Sequence, residues 1–283
     1  MLKKIVLTGL YVCVLVCLPA SDTFADAEEE FHQTYTVENG TGVEIHNVNG
    51  NIDVRSWDKD YVDVLALKRT KRDRDELKKV SIEVTTDSIL EIRTKYHKFD
   101  PQGDTFFKRM FNRFSLSGPQ VSVDYTVKIP EHAALGKVRT VNGSVKIIET
   151  HGDTDASTTN GNVTVERANG IVIAESTNGN VTVSETAALK KARTVNGGID
   201  ITFPERIQCD SEISTVNGSI NLYAQFDMSA EIDFKTVNGS ISAGDFSITL
   251  DTVSKKRLTG MLRDGGNAIK VNAVNGSIRL NKK

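Results

Sequence analysis

Apolar and polar residues alternate in one pattern that recurs along the second half of the chain. Each copy centres on an asparagine followed by a glycine. Apolar residues stand four positions before the asparagine and three and five positions after it, with polar residues between them. Alternation with a period of two, rich in valine and isoleucine, predicts short β-strands that each bury one face. The repeated pairs are Asn142–Gly143, Asn160–Gly161, Asn178–Gly179, Asn196–Gly197, Asn217–Gly218, Asn238–Gly239 and Asn275–Gly276, and an earlier copy lies at Asn49–Gly50.

The spacing of these copies predicts how the strands are arranged. The steps from Asn142 onward are 18, 18, 18, 21, 21 and 37 residues. A period near 20 residues is typical of a solenoid, whose units stack because none buries its apolar face alone. We therefore predict an all-β fold, a parallel β-solenoid (β-helix-like) of about 18–21 residues per coil. The last step spans two periods, which indicates a degenerate coil or an insertion.

The repeated pair itself leaves an alternative open. Asn-Gly is common in two-residue hairpin turns, so a meander of hairpins is the competing arrangement. Identical residues at one offset favour stacking, because asparagine side chains can form a hydrogen-bonded ladder and the threonines two places earlier can do the same. In the stacked arrangement Asn-Gly supplies a corner, since both residues tolerate positive φ. Asn169–Gly170 falls half a period after Asn160 and predicts a second corner.

The chain divides into three parts. Residues 1–25 have a basic start, an apolar run from Ile5 to Leu18 and small residues near Ala25, as in a secretory signal peptide. Residues 26–130 contain further alternating strands, with the first coil or its cap near Asn49, and are expected to cover the N-terminal end of the rod as a β-sheet cap. Residues 131–283 form the regular solenoid, which the segment from Ala268 to Leu280 is expected to close.

The signal predicts an exported protein, located in a periplasm or at the cell surface. The apolar run is short for a membrane span, although a permanent anchor is the alternative. Cys13 and Cys17 each follow a valine, so we expect no lipid anchor. Cys209 is then the only cysteine of the mature chain (residue 26 onward), and we expect it to be a half-buried strand residue.

An insertion between residues 96 and 119 is rich in phenylalanine. Its apolar residues have the spacing of a short amphipathic helix, with basic residues between them. A helix of this kind can contact a partner groove or a membrane surface, or pack on the solenoid as a lid. We favour the lid, because one short helix binds a membrane only weakly. The residues concerned are Phe106, Phe107, Met110, Phe111 and Phe114.

Composition and motifs give little sign of catalysis. The formal net charge is −2, whereas nucleic-acid-binding proteins are typically basic, so the charge does not indicate nucleic-acid binding. The five histidines are scattered without metal-site spacing, and no phosphate or dinucleotide motif is present, so we expect no metal and no cofactor. A polysaccharide-acting β-solenoid enzyme stays an alternative, because such enzymes gather carboxylates on one face. Its candidate acids are Asp153, Asp155, Glu166, Glu175, Glu185, Asp200 and Glu205, of which Asp155 and Glu175 could meet across adjacent coils.

Taken together, these segments resemble a bacterial family of exported β-strand-repeat proteins known as "putative adhesins" and as a domain of unknown function. The resemblance rests on Asn49 to Asp58, on Val121 to Pro130, on the Thr-Val-Asn-Gly copies and on the closing segment from Gly260 to Leu280. It implies a non-enzymatic, adhesin-like binding or structural protein of the cell envelope, with an envelope glycan or envelope protein as partner. The alternative is a regulatory partner that docks on a membrane protein through Phe106–Phe114.

Overall fold

The fold is almost entirely β-structure. The computed structural model describes residues 27–97, 120–186, 188–244 and 246–283; the predicted signal peptide and most of the phenylalanine-rich insertion lie outside these ranges. Within these ranges, one 3-10 helix, Arg74–Lys79, accompanies 23 strands. The strands are β1 (Ala27–Thr36), β2 (Gly42–His46), β3 (Ile52–Trp57), β4 (Tyr61–Thr70), β5 (Val80–Thr86), β6 (Ile89–Tyr96), β7 (Val121–Pro130), β8 (Ala134–Arg139), β9 (Val145–Ile148), β10 (Thr154–Asn160), β11 (Val163–Glu166), β12 (Ile171–Asn178), β13 (Val181–Ser184), β14 (Ala188–Asn196), β15 (Ile199–Thr202), β16 (Ser211–Asn217), β17 (Ile220–Ala224), β18 (Ala230–Asn238), β19 (Ile241–Ser242), β20 (Ile248–Val253), β21 (Arg257–Leu262), β22 (Ala268–Asn275) and β23 (Ile278–Lys282).

The strands form two sheets that face each other across one core. Sheet A has the order β1-β4-β7-β3-β9-β11-β13-β15-β17-β23-β19, and sheet B has the order β20-β21-β18-β22-β16-β14-β12-β10-β8-β2-β6-β5. Strands of successive coils pair in parallel, as β10 does with β12 and β11 with β13. Parallel neighbours cannot be joined by a two-residue hairpin, so the meander is excluded and the β-solenoid is confirmed.

Each coil turns two corners. The first joins a strand of sheet B to a strand of sheet A through Asn-Gly. The second brings the chain back, and in the 18-residue coils it uses Glu149, Arg167 and Glu185, whose φ angles of 55°, 50° and 55° are left-handed. The corner predicted at Asn169–Gly170 is present, because Asn169 bridges in parallel to His151 and Gly170 has a φ of 144°.

The stacking order departs from the chain order at both ends of the rod. The last coil, β22 with β23, lies between the coil of β16 and β17 and the coil of β18 and β19. The expectation that Ala268 to Leu280 closes the rod is therefore wrong. The coil of β2 and β3 is likewise inserted, between β6 with β7 and β8 with β9. The first and the last copies of the repeat thus both have neighbours on two sides.

Antiparallel strands form the two ends. At the N-terminal end β7 pairs with β4, and β4 with β1, while β5 pairs with β6. At the other end β18 pairs with β21, and β21 with β20. The edge strand β1 carries Glu28, Glu29 and Glu30, and such charges oppose pairing of an open edge with another chain.

The core is one continuous cluster of buried side chains that runs from Tyr35 to Leu280. The apolar positions of the repeat all contribute to it, together with residues of the N-terminal strands such as Val62 and Val64, so the alternation in sequence maps directly onto the inner and outer faces of both sheets. Ala156, Ala174 and Ala192 fill the position four before the asparagine in the 18-residue coils, whereas Ile213 and Phe234 fill it in the 21-residue coils. Larger coils therefore carry larger side chains at the same core position.

Candidate functional site

The asparagines of the repeat form a single ladder along the first corner. The side-chain Nδ2 of each donates to the Oδ1 of the asparagine in the neighbouring coil, through seven hydrogen bonds of 2.7–2.9 Å. The order along the rod is Asn49, Asn142, Asn160, Asn178, Asn196, Asn217, Asn275 and Asn238. Most of these side chains are exposed on their outer side, so the ladder is also a surface feature.

The glycines after the asparagines are required by close approach of the backbone. A Cβ on Gly179 would lie 1.9 Å from the carbonyl oxygen of Gly161, and the same clash recurs at Gly143, Gly161, Gly197, Gly218, Gly239 and Gly276. At Gly50 it would meet the carbonyl oxygen of Val123 at 2.2 Å. None of the ladder asparagines has a positive φ, so the tolerance of asparagine for left-handed backbone is not used at this corner.

A second row of hydrogen bonds lies just inside the ladder. Thr140, Thr158, Ser176, Thr194, Thr215 and Thr236 stand two residues before the ladder asparagines. Each hydroxyl donates to the carbonyl oxygen of the repeat glycine in the neighbouring coil at 2.8–3.1 Å. The predicted ladder of threonine side chains is therefore replaced by contacts from hydroxyl to backbone. Ala273 occupies this position in the inserted coil and has no hydroxyl to donate.

At the N-terminal end, buried polar side chains continue the asparagine ladder and the row of hydroxyl hydrogen bonds. Asn47 takes the threonine position, and its Nδ2 donates to the carbonyl oxygen of Val123 at 2.7 Å. The Thr94 hydroxyl donates to Asn47 Oδ1 at 2.9 Å and lies 2.7 Å from the Tyr125 hydroxyl. Burial raises the pKa of Tyr125, and also that of Tyr96, whose hydroxyl meets Asn49. Both phenols are therefore neutral at physiological pH.

The outer face of sheet B is a network of ion pairs. Basic and acidic residues follow one another from coil to coil, as Lys137 does with Glu44 at 3.2 Å and Lys191 with Glu175 at 2.8 Å. Arg139 pairs with Asp155. Asp155 lies opposite Ile173 and Glu175 opposite Ser157, so the two acids fall in different outward rows. Each is held by its own basic partner, which is an arrangement for a solvated face rather than for a pair of catalytic carboxylates.

One cluster on this face combines a histidine with two carboxylates. Glu44 and Glu91 are direct neighbours on β2 and β6, and His46 follows Glu44 on the same face. His46 Nε2 lies 3.3 Å from Glu44 Oε2 and 3.5 Å from Glu91 Oε1. Burial, and secondly the charge of Arg93, lower the pKa of His46. Spacing alone could not find this cluster, because 45 residues separate His46 from Glu91; only the alternation of Glu44 and His46 on one strand was a signal.

Part of the outer face of sheet A carries uncharged hydroxyls, which are flanked in the same rows by the charged residues Lys146, Glu166 and Asp200. Thr164 lies opposite Thr182, and Ser184 lies opposite Thr202, so four hydroxyl side chains stand together on three coils. Tyr223 is the next residue in the row of Thr202 and is 36% exposed. We call these five residues the hydroxyl patch.

Two further groups of candidate residues come from the sequence. Phe106, Phe107, Met110, Phe111 and Phe114 lie outside the described residues. Cys209 is a free, half-buried thiol in a bend between β15 and β16 rather than in a strand. Burial, followed by the charge of Asp210, raises the pKa of this thiol, so it stays protonated and weakly nucleophilic.

Within the described ranges, no helix has both the length and the apolar character that crossing a membrane requires. The fold defines the class of protein as a two-sheet parallel β-solenoid held by an asparagine ladder. The sequence model of the Toastrack DUF4097 family matches residues 42–281, and the chain belongs to that family, a domain of unknown function.

Comparisons with other proteins add little beyond the family. No curated protein matches the chain. A "putative cell adhesion protein" from Clostridium sporogenes is 11% identical, with a TM-score of 0.35 over 90% of this chain and 100% of the other. A "putative adhesin" from Bacteroides fragilis is 9% identical, with a TM-score of 0.28 over 90% and 97%. Likenesses this distant carry no argument about the function of this chain.

Proposed function

We propose that the protein is an exported, non-enzymatic binding element of the cell envelope, adhesin-like in function, and that its partner is an envelope glycan. The observation that carries this proposal is the hydroxyl patch. Its side chains are neutral, stand on paired parallel strands and include an exposed aromatic ring. Neutral hydroxyls suit hydrogen bonds with sugar hydroxyls, and an aromatic ring with one apolar face suits stacking on a sugar ring.

The rigidity of the rod supports the same proposal. Backbone hydrogen bonds between strands fix each residue of the hydroxyl patch to the coil before it and the coil after it, at the strand spacing of about 4.8 Å. A preorganised surface loses little conformational entropy on binding, so many weak contacts can add up along a polymer. The charged face of sheet B is less suited to a neutral glycan, because its side chains already satisfy one another.

The test is co-sedimentation of the mature chain with envelope fragments, before and after the fragments are stripped of protein. We expect pelleting with stripped glycan, at least about fivefold weaker for Tyr223→Ala and Thr182→Lys, with RT ln 5 equal to about 1 kcal/mol. Phe226→Ala is the matched control, because Phe226 is a 53% exposed aromatic residue outside the patch.

Other outcomes would overturn parts of the proposal. Pelleting only with unstripped fragments would replace the glycan by a protein partner and direct attention to Phe107, Phe111 and Phe114. An absence of pelleting would contradict the binding role. New reducing ends after incubation with cell-wall polysaccharide would contradict the non-enzymatic role and support the polysaccharide-acting enzyme.

A further inference from the structure

The cluster of Glu44, His46 and Glu91 has a geometry that ion pairing alone does not require. Two carboxylates on adjacent parallel strands stand directly side by side, which is unfavourable for like charges. The imidazole of His46 lies at hydrogen-bonding distance or slightly beyond from both of them. One ligand atom from each of the three residues lies within 4.8 Å of the other two. Three potential metal ligands therefore converge on one point of sheet B.

The distances fit a transition-metal ion. Zinc binds histidine nitrogen and carboxylate oxygen at about 2.0–2.2 Å, so neighbouring ligands of a tetrahedral ion stand about 3.4 Å apart. The separations from His46 Nε2 are 3.3 Å to Glu44 and 3.5 Å to Glu91. A modest rotation of either glutamate side chain brings the third separation to the same value, because both carboxylates end flexible chains that are 19% and 25% exposed.

The backbone around the cluster is shaped to hold Glu44. The pairing of β2 with β8 shifts register between Val43 and Ile45, so that two residues of β8, Gly136 and Lys137, stand opposite Glu44. A Cβ on Gly136 would lie 3.3 Å from Cγ of Glu44, so the glycine leaves the space in which the glutamate side chain lies. Bulges of this kind re-aim side chains and are over-represented beside functional sites.

Two cations lie beside the cluster. Arg93 pairs with Oε1 of Glu91, the same oxygen that faces His46, so this ion pair must open when a metal ion binds. Lys137 contacts Glu44 through the oxygen that does not face His46. These two cations offset the carboxylate charges, so the affinity of the site for a dication is moderate rather than tight.

We propose that Glu44, His46 and Glu91 form a binding site for a divalent transition-metal ion of the zinc type on the outer face of sheet B. With three protein ligands, the coordination shell keeps a position open for water or for a group of a partner molecule. The site lies on the opposite sheet from the hydroxyl patch and does not depend on the proposed glycan binding.

The test is calorimetric titration of the metal-stripped mature chain, purified without a polyhistidine tag, with ZnCl2. We expect one ion per chain and a loss of at least about tenfold in affinity for His46→Gln and Glu91→Gln. Lys137→Gln should raise the affinity, because it removes a competing cation from Glu44. Matched controls are Glu175→Gln, another ion-paired glutamate of sheet B, and His32→Gln, which faces a single carboxylate, that of Asp63, at 2.6 Å.

Unchanged zinc affinity in both His46→Gln and Glu91→Gln would overturn the proposal, as would an equal loss in His32→Gln. A fall in affinity for Lys137→Gln would contradict the ligand role of Glu44. Circular dichroism checks that each variant is folded. If His46→Gln fails to fold, the visible spectrum of the wild-type chain with Co2+ decides the question, because a nitrogen-containing tetrahedral site absorbs strongly whereas an all-oxygen octahedral site does not.

Discussion

The side-chain amide of Asn275 donates to the side-chain oxygen of Asn217 at 2.8 Å, although 58 residues separate the two in the chain. The side-chain oxygen of Asn275 in turn accepts a hydrogen bond from the side-chain amide of Asn238, which precedes it by 37 residues. The C-terminal coil is therefore inserted into the stack, and the ladder continues through it without a break. Stacking order in this solenoid is a property of the tertiary structure and not of chain order.

We predict that the hydrogen bonds of the asparagine ladder contribute additively to stability. Asn196→Ala removes two side-chain hydrogen bonds, one to Asn178 and one to Asn217, whereas Asn238→Ala removes one, at the end of the ladder. Each exposed bond contributes about 1 kcal/mol or less. We expect urea unfolding to show a loss of at most about 2 kcal/mol for Asn196→Ala and about half of that loss for Asn238→Ala. Equal losses at the two positions would contradict a ladder role.

Two adjacent glycines allow a test of whether the repeat needs glycine for close approach between backbones or only for flexibility. A Cβ at Gly197 would lie 2.1 Å from the carbonyl oxygen of Gly179, whereas a Cβ at Gly198 has no neighbour closer than 3.4 Å. Overpacking costs about 1–3 kcal/mol, and more where the neighbouring atoms are fixed backbone. We therefore expect Gly197→Ala to lower the thermal midpoint strongly and Gly198→Ala to change it little. Similar melting curves for the two variants would disprove the steric explanation.

The missing hydroxyl at Ala273 can be supplied. Threonine occupies the same position in both neighbouring coils, as Thr215 and Thr236, and Ala273→Thr should donate to the carbonyl oxygen of Gly218. We expect a gain of about 0.5–1.5 kcal/mol in the free energy of unfolding. Ala273→Val is the control, because it has nearly the same shape without a hydroxyl. A gain that valine matches would mean that packing, not hydrogen bonding, is responsible.

Insertion of the last coil predicts an unusual response to truncation. Ending the chain at residue 267 removes β22 and β23, which pair on both sides. We expect protease sensitivity to appear from β16 onward, rather than a rod that is merely one coil shorter. A synthetic peptide of residues 268–283 should restore protection when added in trans. A truncated chain that stays resistant through β18 would show that the inserted coil is dispensable.

Stability should depend on pH through His46. Its pKa is lowered below the ordinary value of 6.5 by burial, then by Arg93. The unfolded chain therefore binds more protons than the folded one in this range, so the free energy of unfolding falls as the pH falls from about 6.5 through the folded-state pKa. Between pH 7.5 and pH 5, in buffer containing a chelator, wild type should lose more stability than His46→Gln. Parallel pH profiles would contradict this assignment.

The fold could be predicted from sequence because its signal is local and repeated. Alternation around each asparagine assigns inner and outer positions without knowledge of neighbours, and the period near 20 implies stacking. The sequence shows only part of the role of the glycines: Gly197 avoids a clash with a carbonyl oxygen of another coil, and such a contact has no local signature. The hydrogen-bond acceptors of the threonine row cannot be predicted for the same reason, since they are backbone atoms of neighbouring coils.

The sequence by itself determined the class of fold, the faces of each strand and the position of the Asn-Gly corner, because backbone sterics and burial act within a few residues. Only the tertiary structure decided which coil lies beside which. All copies of the repeat offer nearly the same pairing surface, so the choice between Asn238 and Asn275 as neighbour of Asn217 depends on how β20 and β21 cover β18. It also decided the meeting of His46 with Glu91, because adjacency across parallel strands is set by that stacking order.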